Sequence, residues 1–156
     1  MTNKIETLAA QPFLKGMDPR LLELLAEDCL PANFKEDENI LSDGGPANRF
    51  YLILEGQVEL ESPLLDGEAV HIQTLGAGDL LGWSWLFPPY YLHFDARAIT
   101  PVKALFFYGT HLRERCEENH HLGYELMKRV AEVAIKRLQA ARREWVEHNK
   151  HLPRVG

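Results

Sequence analysis

The sequence predicts a mainly β domain with flanking helices, in which a sandwich or barrel of short strands is followed by one long C-terminal helix. Three observations carry that reading. Between Pro31 and Tyr108, short apolar runs are separated by Gly, Pro, Asp and Asn, the punctuation of short strands. One compact helical pattern precedes this stretch, and a proline-free segment of helical period from about Leu122 to Glu147 follows it. The 156 residues suit a single domain, 1–156, with a helical lead-in at about 11–30, a β region at about 31–108 and helices at about 110–148.

The lead-in helix is read from MDPRLLELLAEDC. Asp18 can accept hydrogen bonds from free amides, Pro19 suits the first helical position, and Leu21, Leu22, Leu24 and Leu25 share a face, so a helix is expected near 19–28. Strands are expected near 32–35, 39–41, 50–54, 57–62, 69–74, 80–82, 92–99 and 102–108. FYLIL and QVELES read as a pair joined by a tight reversal at Glu55-Gly56, where glycine tolerates positive φ. Leu65-Asp66-Gly67-Glu68 reads as a primed hairpin turn. The aromatics from Trp83 to Phe107 are expected mostly to fill the core. A short helix is placed near 110–118, ahead of the long one.

Within the long helix, Met127, Ala131, Ala134, Leu138, Ala141 and Trp145 recur at spacings of four and three, a heptad-like seam that suits a homodimer. A second row, Leu126, Val130 and Val133, is expected to pack on the β region and to stop at Arg137. Residues 120–156 carry eight Lys and Arg against four Glu, whereas the rest carries nine against 19 acidic residues. The tail is therefore basic on an acidic body. Its charges alternate with Glu132, Glu144 and Glu147, which suits a solvated helix face or an acidic protein partner better than a nucleic acid.

Composition removes several classes. Hydrophobic residues are 46% and charged residues 26%, with a net charge of −6, the profile of a chain that can bury an ordinary core. Cys29 and Cys116 are far apart with no paired spacing, which argues for reduced thiols rather than a disulfide or zinc framework. No apolar stretch has the length of a signal or membrane segment, so a cytoplasmic protein without membrane contact is expected.

The order helix, eight short strands with glycine turns, short helix and long helix resembles the cyclic nucleotide-binding domain of the catabolite-activator (Crp/Fnr) type over about Gln11 to Glu147. ILSDGGPANRFYLILEGQVEL is similar to the opening of that family's β-roll, LGAGDLLGWSWLF to the start of its phosphate-binding cassette, and DARAITPVKALFF to the strands after it. Gly44, Gly56, Gly76, Gly78 and Gly82 fit the spacing. The resemblance implies an eight-stranded antiparallel double-stranded β-helix, the jelly roll of cyclic nucleotide binders, and a non-enzymatic regulatory role.

In nucleotide-binding members the cassette supplies a Glu for the ribose hydroxyl, an Arg for the cyclic phosphate and backbone amides at a short helix N-terminus. Here Trp83 stands at the Glu position after Gly82, and Leu92 and His93 stand at the Arg and Ser positions. Loss of the Arg removes a charge-assisted pair of about 1.5–3 kcal/mol, so cyclic nucleotide in the usual pose is disfavoured and no cofactor is expected. Arg97 falls on a family position outside the usual phosphate contact. Pro88-Pro89 supplies no amide donors. The functional reading is a reshaped pocket with Gly82, Trp83, Ser84, Trp85, Tyr90, Leu92, His93 and Arg97 around a small ligand; the plainer one is that the rings fill a dead pocket and the roll is a protein-docking module.

Other chemistries find little footing. A cupin-like metal enzyme needs an HxH pair, and none occurs among the seven histidines. His71 alone is a weak case for haem. Nucleophile elbow, P-loop and dinucleotide-binding patterns are missing. Only His148 to Gly156 follow the long helix, too few for a helix-turn-helix, so direct DNA binding is not expected.

Overall fold

The computed structural model describes residues 3–82 and 90–150. Helix α1 (Lys4–Ala9), capped by the Asn3 side chain, leads through a short 3-10 turn (Pro12–Leu14) to α2 (Pro19–Asp28). Eight strands follow: β1 (Leu30–Phe34), β2 (Asn39–Leu41), β3 (Arg49–Glu55), β4 (Val58–Pro63), β5 (Ala69–Leu75), β6 (Leu80–Leu81), β7 (Asp95–Ala98) and β8 (Val102–Tyr108). Helices α3 (Gly109–Glu118) and α4 (His120–His148) complete the order. The strands form two antiparallel four-stranded sheets, β1-β8-β3-β6 and β2-β7-β4-β5. This is the expected β-roll with flanking helices.

Two cores result, and the sequence explains both. On β3 alternate side chains point to opposite faces. Phe50 and Leu52 enter the core shared with the helices, while Tyr51 and Ile53 enter the roll interior. A strand buried on both faces needs a continuous apolar run, hence FYLIL. Strand β8 does the same, with Leu105 and Phe107 on the helix side and Val102 and Ala104 inside the roll. Strand β4 covers the roll on one side only, so Val58 and Leu60 alternate with Glu59 and Glu61.

Asp18 caps α2 by accepting from the amide of Arg20, with Pro19 at the first turn, as its residue types predict. Helix α1 lies ahead of the helical lead-in expected at about 11–30. With Leu8 its one buried residue, it has too little apolar periodicity to be read alone. The row Leu126, Val130 and Val133 packs against the helix-side core as expected. It does not end at Arg137, whose side chain turns back and donates to the carbonyl of Leu80.

Three local expectations are corrected. Strands β3 and β4 do not pair, because they lie in different sheets. Gly56, at φ +97°, turns the chain from one sheet into the other, and a Cβ there would come 2.3 Å from the Pro101 carbonyl oxygen. The β4–β5 hairpin does exist, but only Gly67 has positive φ, so its turn is not a primed one; the amide of Gly67 donates to Leu64. The expected strand at 92–99 shortens to Asp95–Ala98, because Leu92 instead exchanges backbone bonds with Gly44 and Gly45.

Candidate functional site

The expected site residues divide into three groups. Trp83, Ser84 and Trp85 lie outside the described residues. Gly82, Tyr90, Leu92 and His93 flank that segment. Arg97 stands apart from all of them.

Gly82 follows β6 directly. Its φ is +89°, and a Cβ would lie 2.6 Å from the Arg49 carbonyl oxygen, so both backbone and space call for glycine. From Tyr90 to Leu92 the backbone is tied to the loop after β2. Ala47 N–H donates to Tyr90 at 2.6 Å, Leu92 N–H to Gly45 at 2.9 Å, and Gly44 N–H to Leu92 at 2.9 Å. Tyr90 has φ +61°, unusual for a side chain of its size. Its ring lies under the Arg113 guanidinium of α3 at 4.2 Å. Neither Tyr90 nor Tyr91 fills the core as expected; both are exposed, whereas Phe107 is buried.

Leu92, at the position the resemblance assigns to a phosphate-binding cation, is 3% exposed and packs in the roll interior with Ile40, Leu41 and Ala47. His93, beside it, is exposed. Among the described residues the interior holds no buried charged or amide side chain: those that are buried are Gln11 and Arg129, and neither belongs to it. Tyr51 is its buried polar group, edge-on to Phe34 at 5.5 Å, and burial pushes its phenol up in pKa.

Arg97 points the other way. On β7, Ala96 and Ala98 face inward, so Arg97 faces outward. It donates to Asp37 at 3.0 Å, Glu59 at 2.7 Å and Glu61 at 3.1 Å. The His71 ring stands 2.8 Å from Glu59, and that hydrogen bond, with lesser help from Glu61 and Arg97, holds the Glu59 carboxyl below its usual range. Arg97 thus belongs to a surface charge cluster and not to a pocket.

Two clefts flank the roll. One of about 320 Å³ is lined by Asn39, Ser42, Asn48, Arg49 and Leu92. The other, of about 290 Å³, lies between α4 and the β5–β6 turn. Among the described residues no group of three or more His, Cys, Asp or Glu side chains is placed to hold a metal ion. No helix of those residues is long and apolar enough to cross a membrane.

The seam residues of α4 point away from the roll. Met127 is 42%, Leu138 69% and Trp145 64% exposed; Ala131 and Ala141 are exposed and Ala134 is half-buried. Tyr124, Ile135 and Val146 widen this apolar strip. At its start, Asn119 caps α4 by accepting from Leu122, and α3 is fastened to α2 by Arg115, which bonds Asp28 at 2.6 Å and Glu27 at 2.7 Å. Sequence reading missed the Arg113–Tyr90 and Arg115–Asp28 contacts. Such pairs span sequence separations that no local period marks.

Comparison with known proteins agrees with this fold. The family model described as cyclic nucleotide-binding domain matches residues 31–119. A CRP-like cAMP-activated global transcriptional regulator of Mycobacterium tuberculosis is 25% identical over 126 residues, 81% of this chain and 56% of that protein, so the chain spans little more than half of that relative. The structure of a putative cyclic nucleotide-binding protein from Geobacter metallireducens superposes with a TM-score of 0.78 at 30% identity, over 88% of this chain and 99% of that one. A regulatory subunit of a cAMP-independent protein kinase A from Trypanosoma brucei gives a TM-score of 0.69 at 26% identity, over 83% of this chain and 46% of that one.

Proposed function

The chain belongs to the cyclic nucleotide-binding domain family, and from that premise we propose that it is a non-enzymatic sensor or adaptor that does not hold cyclic nucleotide in the usual pose and acts as a dimer through α4. The observation that carries this reading is the burial of Leu92. At 3% exposure in an apolar interior, it offers a cyclic phosphate no cation, and the nearby Arg97 is held outside by three carboxylates. A phosphate carried into such an interior would lose its hydration without a compensating charge, a cost of several kcal/mol. That a similar chain is the regulatory subunit of a cAMP-independent protein kinase A accords with a roll of this family working without that ligand.

In this reading a small ligand or a protein contacts the 82–93 segment. Its effect reaches the helices through the tie of Tyr90 to Arg113, and α4 relays it to the second copy. A roll that serves purely as a protein-docking module is the second reading, favoured by Leu64, Leu65, Val70 and Ile72, which stand exposed around the β4–β5 hairpin. Isothermal titration with cyclic AMP and cyclic GMP is the test. No heat at micromolar ligand is expected, and clear micromolar affinity for either would overturn the account of Leu92.

A further inference from the structure

The cleft between α4 and the β5–β6 turn has a different character from the roll interior. Three cations reach it from one side of one helix, Arg129, Lys136 and Arg137, at spacings of seven and one. Two carboxylates oppose them, Glu132 and Asp79, and the latter already accepts the amide of Gly76 at 2.8 Å. Arg129 is satisfied by Glu125 and by the Lys15 carbonyl, to which it donates at 2.9 Å. Lys136 makes no ion pair or side-chain hydrogen bond among the described residues. Arg137 is half-buried with the Leu80 carbonyl as its partner, and burial lowers its pKa against the opposing charge of Asp79. A cation in that position is incompletely compensated.

The rest of the wall is mostly apolar, with Phe13, Leu75 and Val133 among its residues and Gln73 as its amide. A volume of about 290 Å³ is at the small end of sites that take drug-sized or smaller molecules. We propose that this cleft binds a small organic anion, its charged end held by Lys136 and Arg137 and its apolar body laid against Phe13 and Val133. Because both cations sit on α4, whose other face carries the seam, occupancy pulls directly on the helix.

The test uses the full chain at constant ionic strength, since exposed charge pairs are salt-screened. Phenyl phosphate serves as the amphipathic probe and inorganic phosphate as the purely ionic one. Phenyl phosphate at about ten times its dissociation constant should raise the Tm by about 3–6 °C. Inorganic phosphate should bind more weakly. Lys136→Glu, an exposed substitution that leaves the core untouched, should weaken phenyl phosphate on the order of tenfold, and Lys136→Arg should preserve it. The site is overturned by a flat Tm with millimolar phenyl phosphate, or by an effect that Lys136→Glu leaves intact. Equal binding of the two probes would remove the apolar half. The cleft does not depend on the roll being closed to cyclic nucleotides, so the two titrations fail separately.

Discussion

The guanidinium of Arg113 lies 4.2 Å from the centre of the Tyr90 ring, joining the end of the 82–93 segment to α3. A cation over a partly exposed ring contributes about 0.5–1 kcal/mol. Tyr90 holds this place at φ +61°, where a residue with a Cβ is strained by about 1–2 kcal/mol. Two substitutions separate the terms. Tyr90→Ala loses the ring and keeps the strain; Tyr90→Gly loses the ring and relieves it. In urea unfolding, Tyr90→Gly should therefore be the more stable by about 1 kcal/mol. If Ala equals or exceeds Gly, the strained backbone at Tyr90 is wrong.

The charge cluster around Arg97 predicts a pH effect. Glu59 has its folded pKa depressed, first by the His71 hydrogen bond and then by Glu61 and Arg97. A depressed carboxyl contributes stability that is fully present above its ordinary value of 4.5 and is lost as pH falls through the lower folded value. Urea midpoints should thus decline below that pH, and Glu59→Gln should flatten part of the decline while changing little at neutral pH. A Glu59→Gln variant with an unaltered acid limb would remove the cluster from the account.

Leu92 gives the sharpest test of the roll interior. Leu92→Arg introduces the residue type that the family resemblance implies for that position, but it puts a charge into the surroundings of Ile40, Leu41 and Ala47 without a partner. An uncompensated buried charge costs about 3–5 kcal/mol. The variant should unfold at lower urea by that amount and gain no micromolar affinity for cyclic AMP. A stable Leu92→Arg protein that binds cyclic AMP would mean that the pocket is intact and lacks one side chain.

What could be read beforehand follows from where information sits along the chain. The two-faced runs of β3 and β8, the one-faced alternation of β4 and the Asp18-Pro19 start of α2 are local patterns, and each produces its element. The partnering of strands is not local. FYLIL and QVELES look like a hairpin because Gly56 permits a reversal, yet Gly56 serves equally well as a corner between sheets, and only closure of the whole roll decides. The site shows the same division. That Leu92 cannot bind phosphate is legible from its side chain. That Arg97 faces away follows from strand parity, which required the exact bounds of β7. Arg137 was read as the end of a packed row because it is charged, but its long stem reaches the Leu80 carbonyl and extends the row with a polar anchor.

The exposed seam of α4 leads to the last prediction. Leu138 is 69% exposed, and Met127, Ala131, Ala134, Ala141 and Trp145 continue its line in alternating steps of four and three. Burying a leucine side chain contributes about 1.5–3 kcal/mol, and in a parallel helix pair each seam residue is buried against its own copy. Leu138→Glu replaces that gain by two like charges facing each other across the two-fold axis. Light scattering should show a dimer for the wild-type chain and a shift toward monomer for Leu138→Glu. Gln139→Glu, one position off the seam, carries the same added charge and should leave the dimer intact, which separates loss of the seam from electrostatic repulsion along the helix. A monomeric wild-type chain would sink the dimer, and equal dissociation by both variants would place the contact elsewhere on α4.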